Sequence, residues 1–442
     1  MKNIYTLILF SLFTNLKAQN ISFKDKALEE KLLYNYDENK DGQLNSSEIE
    51  KIETVSLRND YFEDDLKKLP NLKHLNFLNL NRKKLDVSTF KNLESINCVL
   101  SQIESLNISN LSNLKKVNAS NNRLIEINFS GSNNIIELRL VNNYLKELNL
   151  NNLVYLENLV INNNSLSNLE IEECKKLIEL SIGDNPIKNK ISFYKFENLE
   201  TLSVRQMDLT ELDVSKNTKL RYLYCENNRL TSLDLKANSK LNDLYAHNNL
   251  LNTIDVTQLP LLRQLRLKHN NIVSIELINN NYLQTLNLSN NKITNITFSG
   301  VDELLELDLN NNFLTQINVL PLTNIKVLYI SGNKLETIDV SNLSKLNSLG
   351  LENNKLKSII LANNIHLGKM NLSGNQLTSI DFSNHKGLLP DFVEEQWFDL
   401  TKNPVLVSLN LKNNVLTNVK LDLNLKNKLT IIKDEKDNIE WK

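Results

Sequence analysis

Residues with the spacing of a calcium-binding loop lie near the N-terminus. Residues 37–48 follow the pattern D-x-N-x-D-G-x5-E, in which Gly42 permits a sharp turn. Ca²⁺ prefers oxygen ligands, and such a loop supplies them from side chains, one carbonyl group and one bridging water. The predicted metal-binding residues are Asp37, Asn39, Asp41, Gln43 through its carbonyl oxygen, Asn45 through water, and Glu48 through both carboxylate oxygens.

This pattern resembles the EF-hand loop, and the apolar residues upstream predict a short entering helix. Residues 434–440 lack the glycine of a second loop, so Leu44 has no usual partner strand, and we expect the first repeat to supply one.

Calcium outside the cell is near millimolar and would saturate even a weak site. We therefore predict a structural calcium cap over residues 19–51 rather than a sensor. The alternative is a turn rich in Asn, Asp and Gly that binds no metal.

Nothing in the sequence has the spacing of a catalytic or zinc site. The five histidines are scattered, and no nucleophile elbow or phosphate-binding glycine loop occurs. Cys98, Cys174 and Cys225 are predicted to be small core residues. We do not expect an enzyme, and the segment at residues 388–405 is the single place where a catalytic site could lie.

A repeat with the spacing L-x-x-L-x-L-x-x-N-x-L-x-x-L-x-L extends over most of the chain. Its sixteen starts are residues 72, 93, 114, 135, 156, 177, 199, 220, 241, 262, 283, 304, 325, 346, 367 and 406, and thirteen of the fifteen steps between them are 21 residues. The last step is 39 residues, which predicts an insert of 18 at 388–405. Apolar positions 1, 4 and 6 share their spacing with positions 11, 14 and 16, so each repeat should contribute one strand to each of two parallel ladders.

The polar positions of the repeat also have an architectural explanation. Position 9 is Asn in most repeats, and a stacked column of amides can satisfy the buried backbone groups where each repeat leaves its strand. Twenty-one residues leave no room for an ordinary helix beside two strands and two turns. We therefore predict little helix after residue 51.

The repeat resembles that of bacterial leucine-rich repeat proteins of the 21-residue nested class, over roughly residues 52–421. Residues 220–238 match that pattern almost position by position, with Leu220, Leu223, Cys225, Asn228, Leu230, Leu233 and Leu235 in their places. The resemblance implies an α/β, horseshoe-like solenoid with a parallel β ladder and a mostly extended or irregular opposite side. It also implies a concave face that binds proteins and sometimes glycans.

Positions 3, 5 and 7 of each repeat point out of the main ladder, which the resemblance makes the concave face. Most of them are Ser, Asn, Thr or Glu, but neighbouring repeats carry aromatic and basic groups. The predicted ligand-binding residues, called here the Tyr–Arg patch, are Arg205, Tyr222, Tyr224, Tyr245, His247, Arg266 and Lys268. Tyr and Arg are frequent binding hot spots, although Tyr also simply suits strands.

The termini and the overall charge limit the possible locations and ligand classes of the protein. Lys2, an apolar run over residues 4–13 and Ala18 fit a secretory signal peptide, 1–18, that is removed before Gln19. The net charge of −1 gives no global attraction for nucleic acid or an anionic membrane, and no run is long enough for a membrane span. Residues 422–442 are predicted to form a C-terminal cap.

These observations together predict a secreted or cell-surface protein that binds a protein partner through its concave face, with calcium as a structural cofactor. We expect a monomer. Two alternatives stay open, a glycan-binding surface module and a structural envelope component without a specific ligand.

Overall fold

A computed structural model of the chain describes residues 20–58, 61–364, 366–383, 397–412, 418–435 and 437–442. The predicted signal peptide, 1–18, lies outside these residues. The chain divides into two compact units, Met1–Lys190 and Ile191–Lys442. Each is a β-solenoid in which successive repeats add parallel strands to a main ladder.

Helices are few and short in the described residues. The N-terminal unit has α-helices at Lys26–Tyr36, Ser46–Ile49 and Glu63–Leu66, and the C-terminal unit has 3-10 helices at Phe193–Lys195 and Leu423–Leu425. The expectation of little helix after residue 51 is confirmed, because a repeat of this length is used up by extended segments and turns.

The main ladder of the N-terminal unit begins directly after the helical segment. Its strands are Thr54–Arg58, His74–Leu78, Ser95–Asn97, Lys116–Asn118, Glu137–Arg139, Asn158–Val160 and Glu179–Ser181. From His74 onward each residue pairs with the one 21 positions later, as in Lys116 with Glu137. The predicted period is therefore the strand register.

The C-terminal unit continues the same arrangement. Its main ladder consists of Thr201–Ser203, Tyr222–Tyr224, Asp243–Tyr245, Gln264–Arg266, Thr285–Asn287, Glu306–Asp308, Val327–Tyr329, Ser348–Gly350, Lys369–Asn371, Trp397–Asp399, Val419–Leu421 and Ile439–Trp441. From Thr201–Ser203 to Trp397–Asp399 the middle residue of each strand points inward, and Leu223, Leu244 and Leu265 have no exposed surface. Residues on either side point out of the ladder. In Val419–Leu421 the two outer residues are buried instead.

The second ladder is interrupted, which corrects the prediction of two continuous ladders. In the N-terminal unit it forms the sheets Lys84–Asp86, Ser105–Asn107 and Glu126–Asn128, and Glu147–Asn149 with Asn168–Glu170. In the C-terminal unit it forms Ser274–Ile278 with Asn295–Ser299, Thr337–Asp339 with Ser358–Ile360, and Ser379–Asp381 with Ser408–Asn410 and Thr430–Ile432. Residues 212–214, 233–235 and 254–256 are described but form no strand.

The asparagine column is architectural, as predicted. The Nδ2 atom of buried Asn249 donates to the carbonyl oxygens of Cys225 (3.0 Å) and Ala246 (3.2 Å), and its Oδ1 atom accepts from the Leu230 amide (3.0 Å). Each such side chain thus joins two neighbouring repeats and satisfies backbone groups that burial removes from water. The other members that donate to a carbonyl group of the preceding repeat are Asn122, Asn143, Asn164, Asn185, Asn228, Asn270, Asn291, Asn312, Asn333, Asn354, Asn375 and Asn403.

The predicted repeat start at residue 406 is wrong. Ser408–Asn410 lies in the second ladder beside Ser379–Asp381, whereas the main-ladder strand after Lys369–Asn371 is Trp397–Asp399. Lys369 pairs with Trp397, a separation of 28 residues rather than 39. Residues 397–405 of the predicted insert, 388–405, therefore belong to a repeat, and residues 388–396 lie outside the described residues.

Candidate functional site

Five of the six predicted calcium ligands lie between the helices Lys26–Tyr36 and Ser46–Ile49, and the sixth, Glu48, lies in the second helix. The Oδ1 atom of Asp37 accepts from the Asp41 amide (3.2 Å), and its Oδ2 atom accepts from the Gly42 amide (2.9 Å). Asn39 Oδ1 also accepts from the Asp41 amide (2.9 Å), and Asp41 Oδ1 accepts from the Gln43 amide (2.9 Å). Gly42 has a φ of 77°, the left-handed conformation that the predicted sharp turn requires.

The end of the loop is tied to the second helix. Asn45 Oδ1 accepts from the Glu48 amide (3.2 Å) and Glu48 Oε2 accepts from the Asn45 amide (2.9 Å), which is a reciprocal capping box. Glu48 Oε1 accepts from the Glu38 amide (3.0 Å). The Glu48 carboxylate, only 3% exposed, therefore bridges both ends of the loop.

The chemistry of the donor set fits Ca²⁺, although the carboxylates are directed toward backbone amides. No cluster of three or more His, Cys, Asp or Glu side chains with metal-binding spacing occurs in the part of the chain that the structure describes. Each carboxylate oxygen has two lone pairs, so the oxygens that accept one amide hydrogen bond retain capacity for a cation. Asp37, Asp41 and Glu48 would supply the charge, and Asn39 a neutral oxygen.

The strand partner of Leu44 differs from the prediction. The Ile21 amide donates to the Leu44 carbonyl oxygen (2.9 Å), and the two residues form an isolated antiparallel bridge. The segment that precedes the first helix, rather than the first repeat, thus satisfies the backbone of Leu44.

The Tyr–Arg patch forms on three adjacent strands of the C-terminal unit. Tyr224, Tyr245 and Arg266 are direct neighbours in the ladder register. The rings of Tyr224 and Tyr245 make an edge-to-face contact with centroids 5.1 Å apart, and the Arg266 guanidinium lies 4.4 Å from the Tyr245 centroid. Such aromatic and cation–π contacts hold the side chains in a defined arrangement.

Gln264 completes this arrangement and was not among the predicted binding residues. Its Oε1 atom accepts from the Tyr245 hydroxyl (2.7 Å) and from Arg266 Nη2 (3.3 Å). Polar residues are common at the outward positions, so the sequence alone does not indicate that this glutamine contacts two patch residues. The hydrogen bonds tie the Tyr245 hydroxyl and the Arg266 guanidinium, which lie on adjacent strands, to one side chain.

The remaining patch residues surround this centre. Arg205, Tyr222 and Lys268 are exposed, and Tyr222 shows 36% of its surface to solvent. His247 is half-buried, and its buried Nδ1 atom has no hydrogen-bond partner among the described residues. The structure thus brings the predicted residues onto one face, with the aromatic residues at the centre and basic groups on either side.

Burial and neighbouring charges shift the titration of three groups. Burial raises the pKa of Tyr224, and it also raises the pKa of Asp243, which Arg266 and Arg263 oppose. Burial lowers the pKa of His247 below its usual value, and Arg266 lowers it further. His247 is therefore neutral at pH 7, and the positive charge of the patch comes from its Arg and Lys residues.

The cysteines contribute no reactive site. All three are buried and free, as predicted for small core residues. Burial raises the pKa of the Cys98 and Cys174 thiols to about 12 and also raises that of Cys225. A thiol that is protonated at neutral pH is a poor nucleophile.

Comparisons with known proteins agree on the architecture. A functional domain of InlJ from Listeria monocytogenes superposes with a TM-score of 0.65 at 21% identity, over 84% of this chain and 77% of that one. A leucine-rich repeat protein of Leptospira interrogans gives 0.58 at 21% identity, over 87% and 90%. The fold is a leucine-rich repeat solenoid.

A plant receptor shares the fold as well, whereas the sequence itself matches no family model and no curated protein. The leucine-rich repeat ectodomain of the Arabidopsis thaliana receptor kinase GASSHO1/SCHENGEN3 gives a TM-score of 0.55 at 21% identity, over 90% of this chain and 62% of that one. No family model matches the sequence. No curated protein is significantly similar to this leucine-rich repeat chain in sequence.

Within the described ranges, every helix is too short or too polar to cross a bilayer.

Proposed function

We propose that this chain is an exported leucine-rich repeat protein that binds a protein partner through the outward face of its main ladder, without catalysis and as a monomer. The centre of the binding surface is the Tyr–Arg patch. The sequence pattern of residues 1–18 supports export, and the uniform solenoid supports a binding rather than a catalytic role.

The observation that carries this proposal is the fixed contact of Tyr224, Tyr245, Arg266 and Gln264. Two aromatic rings and a guanidinium held by mutual contacts lose little conformational entropy when a partner binds. Exposed Tyr222 and Lys268 extend the surface on either side. Tyr and Arg in such clusters supply most of the binding energy at protein interfaces.

A structural neighbour supports a peptide or protein as the ligand. The plant receptor kinase ectodomain was solved in complex with CASPARIAN STRIP INTEGRITY FACTOR 2. A solenoid face presents many outward side chains in a regular row, which suits an extended chain that contacts several strands.

Replacing Tyr224 and Tyr245 together with alanine should abolish capture of the partner. The substitution removes the aromatic centre while Leu223 and Leu244 keep the inward side of both strands packed. We expect the melting temperature to change by only a few degrees, because both rings lie on the outer face. Pull-down from host and bacterial lysates with the mature protein in calcium, followed by mass spectrometry, measures capture.

Tyr282→Ala is the matched control, since Tyr282 is 45% exposed in the same unit but lies outside the patch. Equal capture by the double variant and the wild type would exclude the patch as the binding site. Loss of binding on a glycan array instead of loss of a captured protein would favour the glycan-binding alternative. No capture of any ligand by the wild type would favour a structural envelope component.

We also propose that the loop at residues 37–48 binds Ca²⁺ as a structural cap. At about 2 mM calcium and the affinity typical of extracellular modules, binding should stabilise the N-terminal unit by about 0.6 to 2 kcal/mol. Chelation should lower the melting temperature of the wild type, and Glu48→Gln should remove this calcium dependence. Circular dichroism melts with calcium and with chelator measure both effects.

Glu38→Gln is the control for the loop, because Glu38 lies in the same segment but outside the ligand pattern, where it pairs with Lys51 at 2.6 Å. It should retain the calcium dependence. A wild-type melt that is identical with calcium and with chelator would leave the loop as a turn without metal.

A further inference from the structure

A second feature of the outward face lies on the strands Val327–Tyr329 and Ser348–Gly350 of the C-terminal unit. Tyr329 and Gly350 are direct neighbours in the ladder register. Ser331 and Glu352 occupy the next outward positions of the same two repeats. Four residues of different chemistry therefore surround one point on the ladder.

The position above Gly350 is enclosed by these neighbours. A methyl group on Gly350 would lie 2.8 Å from Tyr329 Cδ1 and 3.3 Å from both Glu352 Oε2 and Ser331 Oγ. Because glycine has no side chain, the Tyr329 ring leans across the neighbouring strand and covers this position. Tyr329 itself remains 38% exposed, so the ring has solvent on its outer side.

Two of the enclosing oxygens have no hydrogen-bond partner. Glu352 Oε2 and Ser331 Oγ are both buried without one among the described residues, and Ser331 as a whole is only 7% exposed. A buried carboxylate or hydroxyl oxygen that lacks a partner destabilises the protein. Other buried side-chain atoms, such as His247 Nδ1, also lack a partner, but here two such oxygens face the same point, each 3.3 Å from the position of the methyl group. This arrangement calls for a donor.

The charges around this position indicate whether the donor group should itself be charged. The outward residues of the two repeats that contain these strands and of the repeats on either side include three acids and one base. These residues are Glu306, Asp308, Asn310, Val327, Tyr329, Ser331, Ser348, Gly350, Glu352, Lys369, Asn371 and Ser373. The base, Lys369, is exposed and pairs in register with Ser348 rather than with Gly350. A group that enters here should be positively charged and should only donate hydrogen bonds.

The size of the position distinguishes the two common cationic side chains. An ammonium group is compact and directs three donors to separate acceptors, whereas a guanidinium is planar and needs a flat, two-pronged acceptor. The oxygens of Glu352 and Ser331 come from neighbouring repeats and face one point. The face of the Tyr329 ring adds a cation–π surface once the ring turns outward.

We propose that Tyr329, Ser331, Gly350 and Glu352 form a subsite for a primary ammonium group, supplied by a lysine side chain of the bound partner. This proposal rests on the proposed protein-binding function and adds a second anchor to it. Four strand spacings separate Tyr245 from Tyr329, about 19 Å along the ladder. An extended peptide of about six residues spans that distance.

The test uses hexalysine as the probe, with hexaarginine as the comparison, in calorimetric titrations of the full mature chain at physiological salt. We expect hexalysine to bind about tenfold more tightly than hexaarginine. Glu352→Gln should weaken hexalysine binding by about tenfold or more, because a charge-assisted hydrogen bond is lost. Gly350→Ala should weaken it similarly, since the added methyl group occupies the enclosed position.

Glu306→Gln is the matched control: Glu306 is an exposed acid on the same face, without a buried unpartnered oxygen. It should change hexalysine affinity less than about threefold, because an exposed charge is screened by solvent. Without peptide, Glu352→Gln should keep or raise the melting temperature, since the carboxylate oxygen Oε2 that it alters is buried without a partner. A marked fall would show that the carboxylate has a structural role and would overturn the proposal.

The remaining outcomes are equally decisive. Equal losses in Glu352→Gln and Glu306→Gln, or equal affinities for hexalysine and hexaarginine, would reduce the effect to general electrostatics and overturn the subsite. Absence of hexalysine binding would overturn it as well. If one of these results were obtained while partner capture still depended on Tyr224 and Tyr245, the ammonium subsite would be overturned. The proposed protein-binding function would remain intact.

Discussion

Replacing Asn291 with alanine should lower the free energy of unfolding of the C-terminal unit by about 3 to 5 kcal/mol. Its Nδ2 atom donates to the carbonyl oxygens of Leu267 and Leu288, both at 3.0 Å, and its Oδ1 atom accepts from the Ile272 amide at 3.0 Å. Alanine leaves these backbone groups buried and without partners. Because repeats stabilise each other only through their neighbours, the loss also weakens the coupling between adjacent repeats.

Asn252→Ala is the control for this substitution. Asn252 is an exposed asparagine two repeats earlier, and its replacement should change the free energy of unfolding by less than about 0.5 kcal/mol. Urea unfolding measures both variants by tryptophan fluorescence, since Trp397 and Trp441 are the two tryptophans of the chain and both lie in the C-terminal unit. Equal costs for the two variants would contradict the architectural role of the asparagine column.

The period and the asparagine column could be predicted from the sequence because each repeat obeys the same physical constraint. A leucine that faces the core and an amide that satisfies the turn must return at the same place in every repeat. The register of Leu223, Leu244 and Leu265 follows from that constraint alone. One repeat therefore predicts the next.

The phase of the last repeats could not be predicted from the apolar pattern, because both halves of the repeat share one spacing. Leu406, Leu409 and Leu411 fit either ladder, and the structure places them in the second. Asn403 is the residue that identifies the correct phase of this repeat. It is fully buried and donates to Leu400 (3.0 Å) three residues before it, as position 9 does in other repeats. Phe398 and Leu400 therefore mark the main strand.

The proposed binding surfaces were predictable only in residue type. The sequence places Tyr224, Tyr245 and Arg266 on one face, since outward positions follow from the register. It does not indicate that Gln264 bonds to two of them, nor that Gly350 lets Tyr329 cover two oxygens. Such contacts depend on side-chain rotamers, which the repeat pattern does not constrain.

Asp65→Ala should detach the N-terminal segment from the first repeat, at a cost of about 3 kcal/mol. The Asp65 carboxylate has no exposed surface and accepts from the amides of Lys24 (3.0 Å) and Asp25 (2.8 Å) and from Lys68 Nζ (2.8 Å). Asp25 in turn caps the helix that leads into the 37–48 loop by accepting from the Leu28 amide at 3.1 Å. Replacing Asp65 leaves the Lys24 amide, the Asp25 amide and Lys68 Nζ without their acceptor. The helix cap at Asp25 is then no longer held in place.

The same carboxylate gives a pH dependence with a defined sign. Burial alone would raise the pKa of Asp65, but the hydrogen bonds from Lys68, Lys24 and Asp25 together lower it below its usual value. A lowered pKa contributes stability above the unfolded value of about 3.9 and loses it as the pH falls through the folded value. The N-terminal unit of the wild type should therefore lose stability in acid below about pH 4, and Asp65→Ala should show less of this loss.

Asp64→Asn separates this effect from ordinary surface charge, because Asp64 is the adjacent acid and its ion pair with Lys24 at 2.8 Å is exposed. An exposed pair is screened by solvent, so this variant should unfold nearly as the wild type does. Amide hydrogen exchange in the helix Lys26–Tyr36 measures the difference, since local detachment accelerates exchange there before the repeats unfold. If exchange in that helix were equally slow in Asp65→Ala and Asp64→Asn, the buried carboxylate would not be the anchor of the N-terminal segment, and the loop at 37–48 would have to be held by its own contacts alone.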